Sequence, residues 1–170
     1  SLFINWDIYA VLFALLSIYF YKDRKLDLSA LFMGIAIATK FYPGVILFGI
    51  TLVFWKQREI ISLVRYLAVT IVTWSVINLP VAMNSFDGWW RFFKLNIDRD
   101  SDLGSIWYSA SLLKFPQPNI NNFTIILFLI ALGAIGVFYF MVAQSRSDFA
   151  NLATVAFLTV AAFVTISKVY

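Results

Sequence analysis

The sequence predicts an all-α fold, a polytopic bundle of transmembrane helices. Three observations carry that expectation. Charged residues are 13% of the 170-residue chain and hydrophobic ones 62%, whereas a soluble domain carries about a quarter charged residues. Several charge-free runs reach the roughly 20 apolar residues that a bilayer crossing needs: 66–86 and 123–143 in full, 149–167 nearly so. These runs are apolar on every face, where a transmembrane barrel would alternate with period two.

The elements follow in order from where the charges lie. The uncharged run 8–21 is short, so a full first span must draw in Asn5-Trp6-Asp7. It ends at the basic stretch KDRKLD, residues 22–27, and a second basic stretch, WKQRE, occupies 55–59 with Arg65 just beyond. Short basic loops belong to the cytoplasm. If both are cytoplasmic, residues 28–55 must leave and return. Folded as a hairpin, each arm reaches only about 20 Å, less than a full crossing. Pro43 places the bend, because proline opens helices well, continues them badly and bars its predecessor from helical geometry. Two short helices meeting at Lys40–Pro43 are therefore expected.

Alternation then gives an outward span over 60–80, a long outer segment over 82–121, a return over 123–143 and a last outward span over 149–167. The total is four full spans plus one short hairpin in a single domain. Thr73, Ser75 and Asn78, inside the 60–80 span, read as helix-packing contacts. In the outer segment, Asp87, Arg91, Lys94 and Asp98 share one helical face, and Trp89, Trp90, Phe93 and Ile97 fall largely opposite. That pattern predicts an extracytoplasmic interfacial helix over 86–97, aromatic side toward lipid or the bundle.

Composition also excludes chemistry. The chain has no cysteine and no histidine, which removes disulfides, thiol nucleophiles, Cys/His metal sites and an imidazole base. Thirteen Lys and Arg against nine Asp and Glu need no nucleic acid, since basic cytoplasmic loops account for them. Both ends of the sequence look cut, as in a fragment of a longer membrane protein.

Among polar residues, Lys40 is the most demanding. An unpaired ammonium in hydrocarbon costs at least about 3 kcal/mol, so it must meet an anion or water. A helix N-terminus opened by Pro43 beside it would make a phosphate-binding arrangement; the plainer reading is a lysine reaching outward from a helix end. Asp7 sits near the outer interface, where it either starts a helix through its dipole and N–H groups or serves a function. Arg91 either meets lipid headgroups or faces a cleft and holds a phosphate. Asp98, Asp100 and Asp102 alternate like the opening of a calcium loop, but Leu103 and Ser109 stand where glycine and glutamate are needed. An ordinary acidic turn is thus favoured over a divalent cation, and Arg99 between the carboxylates is expected to be held by them rather than by a substrate.

Three short motifs then coincide: Asn5-Trp6-Asp7, Lys40-Phe41-Tyr42-Pro43 after a helix of small residues, and Arg99 followed by Ser105-Ile106-Trp107. In this setting the chain resembles the polyprenyl-phosphate-mannose-dependent mannosyltransferase-like family, bacterial membrane glycosyltransferases of the GT-C superfamily. Its terminal SKVY resembles the start of a further family stretch. The resemblance implies a GT-C-like bundle in the bacterial plasma membrane. It implies transfer of a mannosyl or similar hexosyl group from a polyprenyl-phosphate-linked donor to a glycan or glycolipid acceptor, at the extracytoplasmic face and without an organic cofactor. It directs Lys40, Tyr42, Arg91, Arg99 and Lys168 toward the lipid phosphate and substrate. In that family the catalytic carboxylate lies in the first outer loop, which would precede Ser1 and leave this fragment inactive by itself; Asp7 is the candidate within the chain. A transporter or flippase of lipid-linked sugars would want the same cations without a base, and a non-catalytic assembly subunit would want neither.

Overall fold

Every described element is helical. A computed structural model describes residues 7–98, 105–113, 120–142 and 148–167. The helices are α1 (Asp7–Lys22), α2 (Leu26–Thr39), α3 (Ile46–Gln57), α4 (Ile60–Asn84), α5 (Phe86–Asp98), α6 (Ile106–Leu112), α7 (Ile120–Val142) and α8 (Asp148–Ile166), with a 3-10 turn, Tyr42–Val45, between α2 and α3. Three described helices, α4, α7 and α8, are long and apolar enough to cross a membrane. Of the four full spans expected, the first is described from Asp7 on as the 16-residue α1, and Asn5 and Trp6, which that span was to draw in, lie outside the described residues.

The ends of the helices sort as the charge pattern predicts. Arg24, in the α1–α2 turn, lies 2.6 Å from Glu59 in the α3–α4 turn, and Asp27 and Arg65 form a second ion pair across the same two connections. Lys22 lies over the ring of Phe149 and Lys56 over that of Tyr139, which brings the α7–α8 end to the same side. Arg24 and Arg58 close their turns with positive φ, 57° and 58°. At the opposite end, Asp7 meets Lys40, and Trp107 of α6 donates from Nε1 to the carbonyl of Ile166 at 2.7 Å. The 28–55 stretch therefore does leave and return, as α2 and α3. They are not a tight hairpin, however: α2 packs between α1 and α4, while α3 lies against α8.

Close approach of α2 and α4 explains the small residues in LSALFMGIAIAT. A Cβ added to Gly34 would stand 2.6 Å from Thr73 Cβ and 2.8 Å from the Thr70 carbonyl oxygen. Lipid is as apolar as leucine, so helices associate through close packing and internal hydrogen bonds rather than by leaving water. Both are present here. Ser17, Ser29 and Tyr66, all buried, share their hydroxyls at 3.0–3.2 Å, and Thr70 donates to the Ala30 carbonyl at 3.2 Å. Phe54 stacks edgewise on Tyr21 and against Tyr66 where α1, α3 and α4 meet.

One boundary differs from expectation. Helix α4 does not stop at Pro80 but runs through it to Asn84. Proline removes one donor and frees the carbonyl four residues back, that of Val76, a loss that membrane helices tolerate through local re-satisfaction. Only Ser85 then separates α4 from α5, which turns back so that Trp89 reaches Asn78. The expected helix over 86–97 is present as Phe86–Asp98, its Trp89 and Phe93 directed at the bundle.

Candidate functional site

The site forms where the 28–55 stretch bends. Lys40 leaves α2 in extended geometry, φ −150° and ψ 144°, its N–H still bonded to the Ala36 carbonyl. The break arises as predicted from Pro43, which enters the 3-10 turn at its start. Lys40 then extends toward α1, and its Nζ lies 3.0 Å from Oδ1 of Asp7 in the first turn of that helix. Both side chains are about one-third exposed, 35% and 34%. The ammonium that lipid would penalise thus has an anion beside it, and the carboxylate has a cation. Tyr42, in the turn, has its phenol pushed above the usual 10.0, first by burial and then by the negative charge of Asp7.

The helix start beside Lys40 takes a different form from the one expected. Pro43 opens a 3-10 turn rather than α3 itself, so α3 starts only at Ile46. Pro43 has no N–H to offer, and the Gly44 N–H donates to the Phe41 carbonyl at 3.0 Å.

Two cavities meet at the bend. One, of about 350 Å³, lies under α5 and is lined by Thr39, Lys40, Asn78, Ser85 and a group of aromatic rings. The other, of about 580 Å³, is lined by Tyr42, Leu47, Ile71 and Phe163 among other mostly apolar side chains. Ile37, Phe41 and Trp74 line both, so they form the partition. The rings hold one another edge to face: Phe41 stands 6.4 Å from Trp74 and 5.7 Å from Phe93, and Trp89 stands 4.7 Å from Phe93. Asn78 ties this wall together, accepting from Trp89 Nε1 at 3.2 Å and donating to the Trp74 carbonyl at 3.0 Å.

The candidates distribute unevenly. Asp7, Lys40 and Tyr42 come together. Arg91 is exposed and lines neither cavity, because Trp89 and Phe93 take the inward positions of α5; the expectation that it faces a cleft is not met by these two. Asp98 closes α5, but its side chain, Arg99, Asp100, Asp102 and Lys168 lie outside the described residues. Among the described residues no group of three or more acidic side chains gathers as a metal site. Sequence reasoning passed over Trp74 and the partition it forms, and it took Asn78 for packing alone. Their signal was present in the clustering of tryptophans at one end of a span, where interfacial aromatics concentrate.

The model of glycosyltransferase family 87 matches residues 3–167. Neither curated proteins nor solved structures gave a significant match.

Proposed function

The chain belongs to glycosyltransferase family 87, and from that premise we propose that it transfers a hexosyl group, mannosyl or closely similar, from a polyprenyl-phosphate-linked donor at the extracytoplasmic face of a bacterial plasma membrane. The acceptor is a glycan or glycolipid. The observation that carries this reading is the position of Lys40 and Tyr42 where a mostly apolar groove meets a pocket with polar groups. A lipid-phosphate sugar has that same order of parts, an isoprenoid chain, an anionic phosphate and a hydroxylated ring.

In the transfer, the bond from the anomeric carbon to the phosphate oxygen breaks while one to the acceptor oxygen forms. The electron pair leaves with the phosphate, and the acceptor hydroxyl gives its proton to a carboxylate acting as general base. Negative charge grows on the leaving phosphate, and a cation fixed beside it stabilises the transition state more than the ground state. Lys40 is assigned that task. Asp7 is assigned the orientation of Lys40, since an ammonium carries three N–H donors and can hold a carboxylate and a phosphate together. A transporter would share these cations, but membership in a glycosyltransferase family favours transfer.

The test replaces Lys40 by Met, which keeps side-chain length and apolar fit while removing charge. Sugar transfer from polyprenyl-phosphate-mannose by the membrane-reconstituted full-length protein should fall about a hundredfold, as on removing other charge-stabilising donors. Unchanged transfer at matched protein level would overturn the assignment.

A further inference from the structure

The pocket under α5 has a composition that the phosphate assignment does not use. Its walls combine aromatic faces, Phe41, Trp74 and Trp89 among them, with short polar side chains and Lys40. Its volume, about 350 Å³, lies at the small end of the range of small-molecule sites. A pocket meant for hydrocarbon has no use for Thr39, Asn78 and Ser85, and one meant for an ion has no use for the rings. A pyranose needs both kinds of surface. Its ring faces present C–H bonds of slight positive charge to electron-rich aromatic faces, while its hydroxyls donate and accept at the rim. The polar groups retain that capacity: Thr39 Oγ1 donates to the Ile35 carbonyl and keeps a lone pair, and Asn78 Nδ2 spends one of two hydrogens on Trp74.

Position supplies the second argument. A phosphodiester has two arms. Lys40 lines the pocket under α5, Tyr42 lines the apolar groove, and Phe41 lines both. A phosphate held at residues 40–42 sends one arm into each. The groove, walled by Leu47, Ile71 and Phe163, suits the isoprenoid arm, which leaves the aromatic pocket for the other.

Resting on the donor reading above, we propose that the pocket under α5 is the donor-hexose subsite, in which the sugar ring packs on the Trp89–Phe41–Trp74 wall with its hydroxyls toward Thr39, Asn78 and Ser85. Helix α5 thereby decides which sugar is transferred, and Phe92, half exposed at the pocket's edge, bounds the ring on its open side.

The experiment compares two ligands on the reconstituted protein: polyprenyl phosphate without a sugar, and polyprenyl-phosphate-mannose. Trp89→Ala and Phe92→Ala should each weaken binding of the sugar-bearing lipid about tenfold or more while changing the bare lipid phosphate less than about twofold. Phe92→Ala removes a half-exposed ring, so it reads the subsite even where Trp89→Ala unsettles the fold. Equal weakening of both ligands would overturn the proposal by making the rings part of the lipid or phosphate site, as would loss of neither. The donor reading fails separately, by wild-type protein binding neither lipid. In that event methyl mannoside, tested by saturation-transfer NMR with the protein in nanodiscs, still probes the pocket: saturation of the ring protons, lost in Phe92→Ala, supports a hexose subsite, and its absence overturns one.

Discussion

Lys40 Nζ and Asp7 Oδ1 lie 3.0 Å apart, joining the residue that caps the end of α2 to the first turn of α1 across 33 positions of sequence. Each group alone is an anomaly for a chain so apolar. Together they form a pair at the end of the bundle where α2 bends, and its Lys40 lines the pocket under α5.

Asp7→Asn is expected to separate two effects of the carboxylate. Removing a negative charge beside the phosphate position should tighten binding of bare polyprenyl phosphate about fivefold, the scale of one partly screened charge interaction. Turnover should fall, because Lys40 loses the partner that orients it. Stability should drop by no more than about 1 kcal/mol, since both side chains are one-third exposed and such pairs are screened. Lipid-binding and transfer assays on the same preparation check all three.

Gly34→Ala should destabilise the protein by about 1–3 kcal/mol, the usual cost of overpacking. The new methyl would meet Thr73 Cβ at 2.6 Å and a backbone oxygen at 2.8 Å, and the backbone cannot rotate aside. Unfolding of the variant in mixed micelles measures the loss; wild-type stability would show that α2 and α4 part without cost.

Tyr66→Phe keeps the ring against Phe54 but deletes the hydroxyl shared with Ser17 and Ser29. Hydrogen bonds between membrane helices contribute about 0.6 kcal/mol on average and up to about 1.7. A loss within that range is expected in the same unfolding assay, with lipid binding unchanged because Ser17, Ser29 and Tyr66 line neither cavity.

Tyr42 should ionise above 10.0. The folded state holds its proton more tightly than the unfolded one, so below about pH 10 the group contributes no pH dependence. Above it, the unfolded chain releases the proton first, and stability declines with rising pH. The difference in alkaline absorbance titration between wild type and Tyr42→Phe isolates this phenol. Asp7→Asn should move its midpoint back toward 10.0, because the carboxylate is the second cause of the shift.

Much of the architecture was legible because lipid leaves few options. A backbone in hydrocarbon must satisfy its own hydrogen bonds, so apolar runs over 66–86, 123–143 and 149–167 had to be helices, and α4, α7 and α8 are. Basic stretches at 22–27 and 55–59 had to share a side, and the Arg24–Glu59 contact places them together. Pro43 broke the 28–55 stretch through its own covalent geometry. Local rules of this kind need no partner. Pro80 was misread because a helix in a membrane tolerates a proline that would end one in water.

The site was legible only in its ingredients. Lys40 demanded an anion and Asp7 a cation, but nothing in one dimension said that they were each other's. That required α1 and α2 to lie side by side, and the closeness of α2 to α4 in turn required Gly34 against Thr73. Rotation of α5 about its axis decided the rest. The period of FDGWWRFFKLNID separated charges from rings without saying which side met the bundle's cavity. Edge-to-face contacts of Trp89 and Phe93 with Trp74 and Phe41, and the Trp89–Asn78 hydrogen bond, turned the rings inward and left Arg91 exposed. Sequence determined which segments are helices and where they end, since backbone and solvent act on each segment alone. Tertiary structure decided which side chains share a cavity, because contact between distant residues depends on the packing angle and rotation of several helices at once.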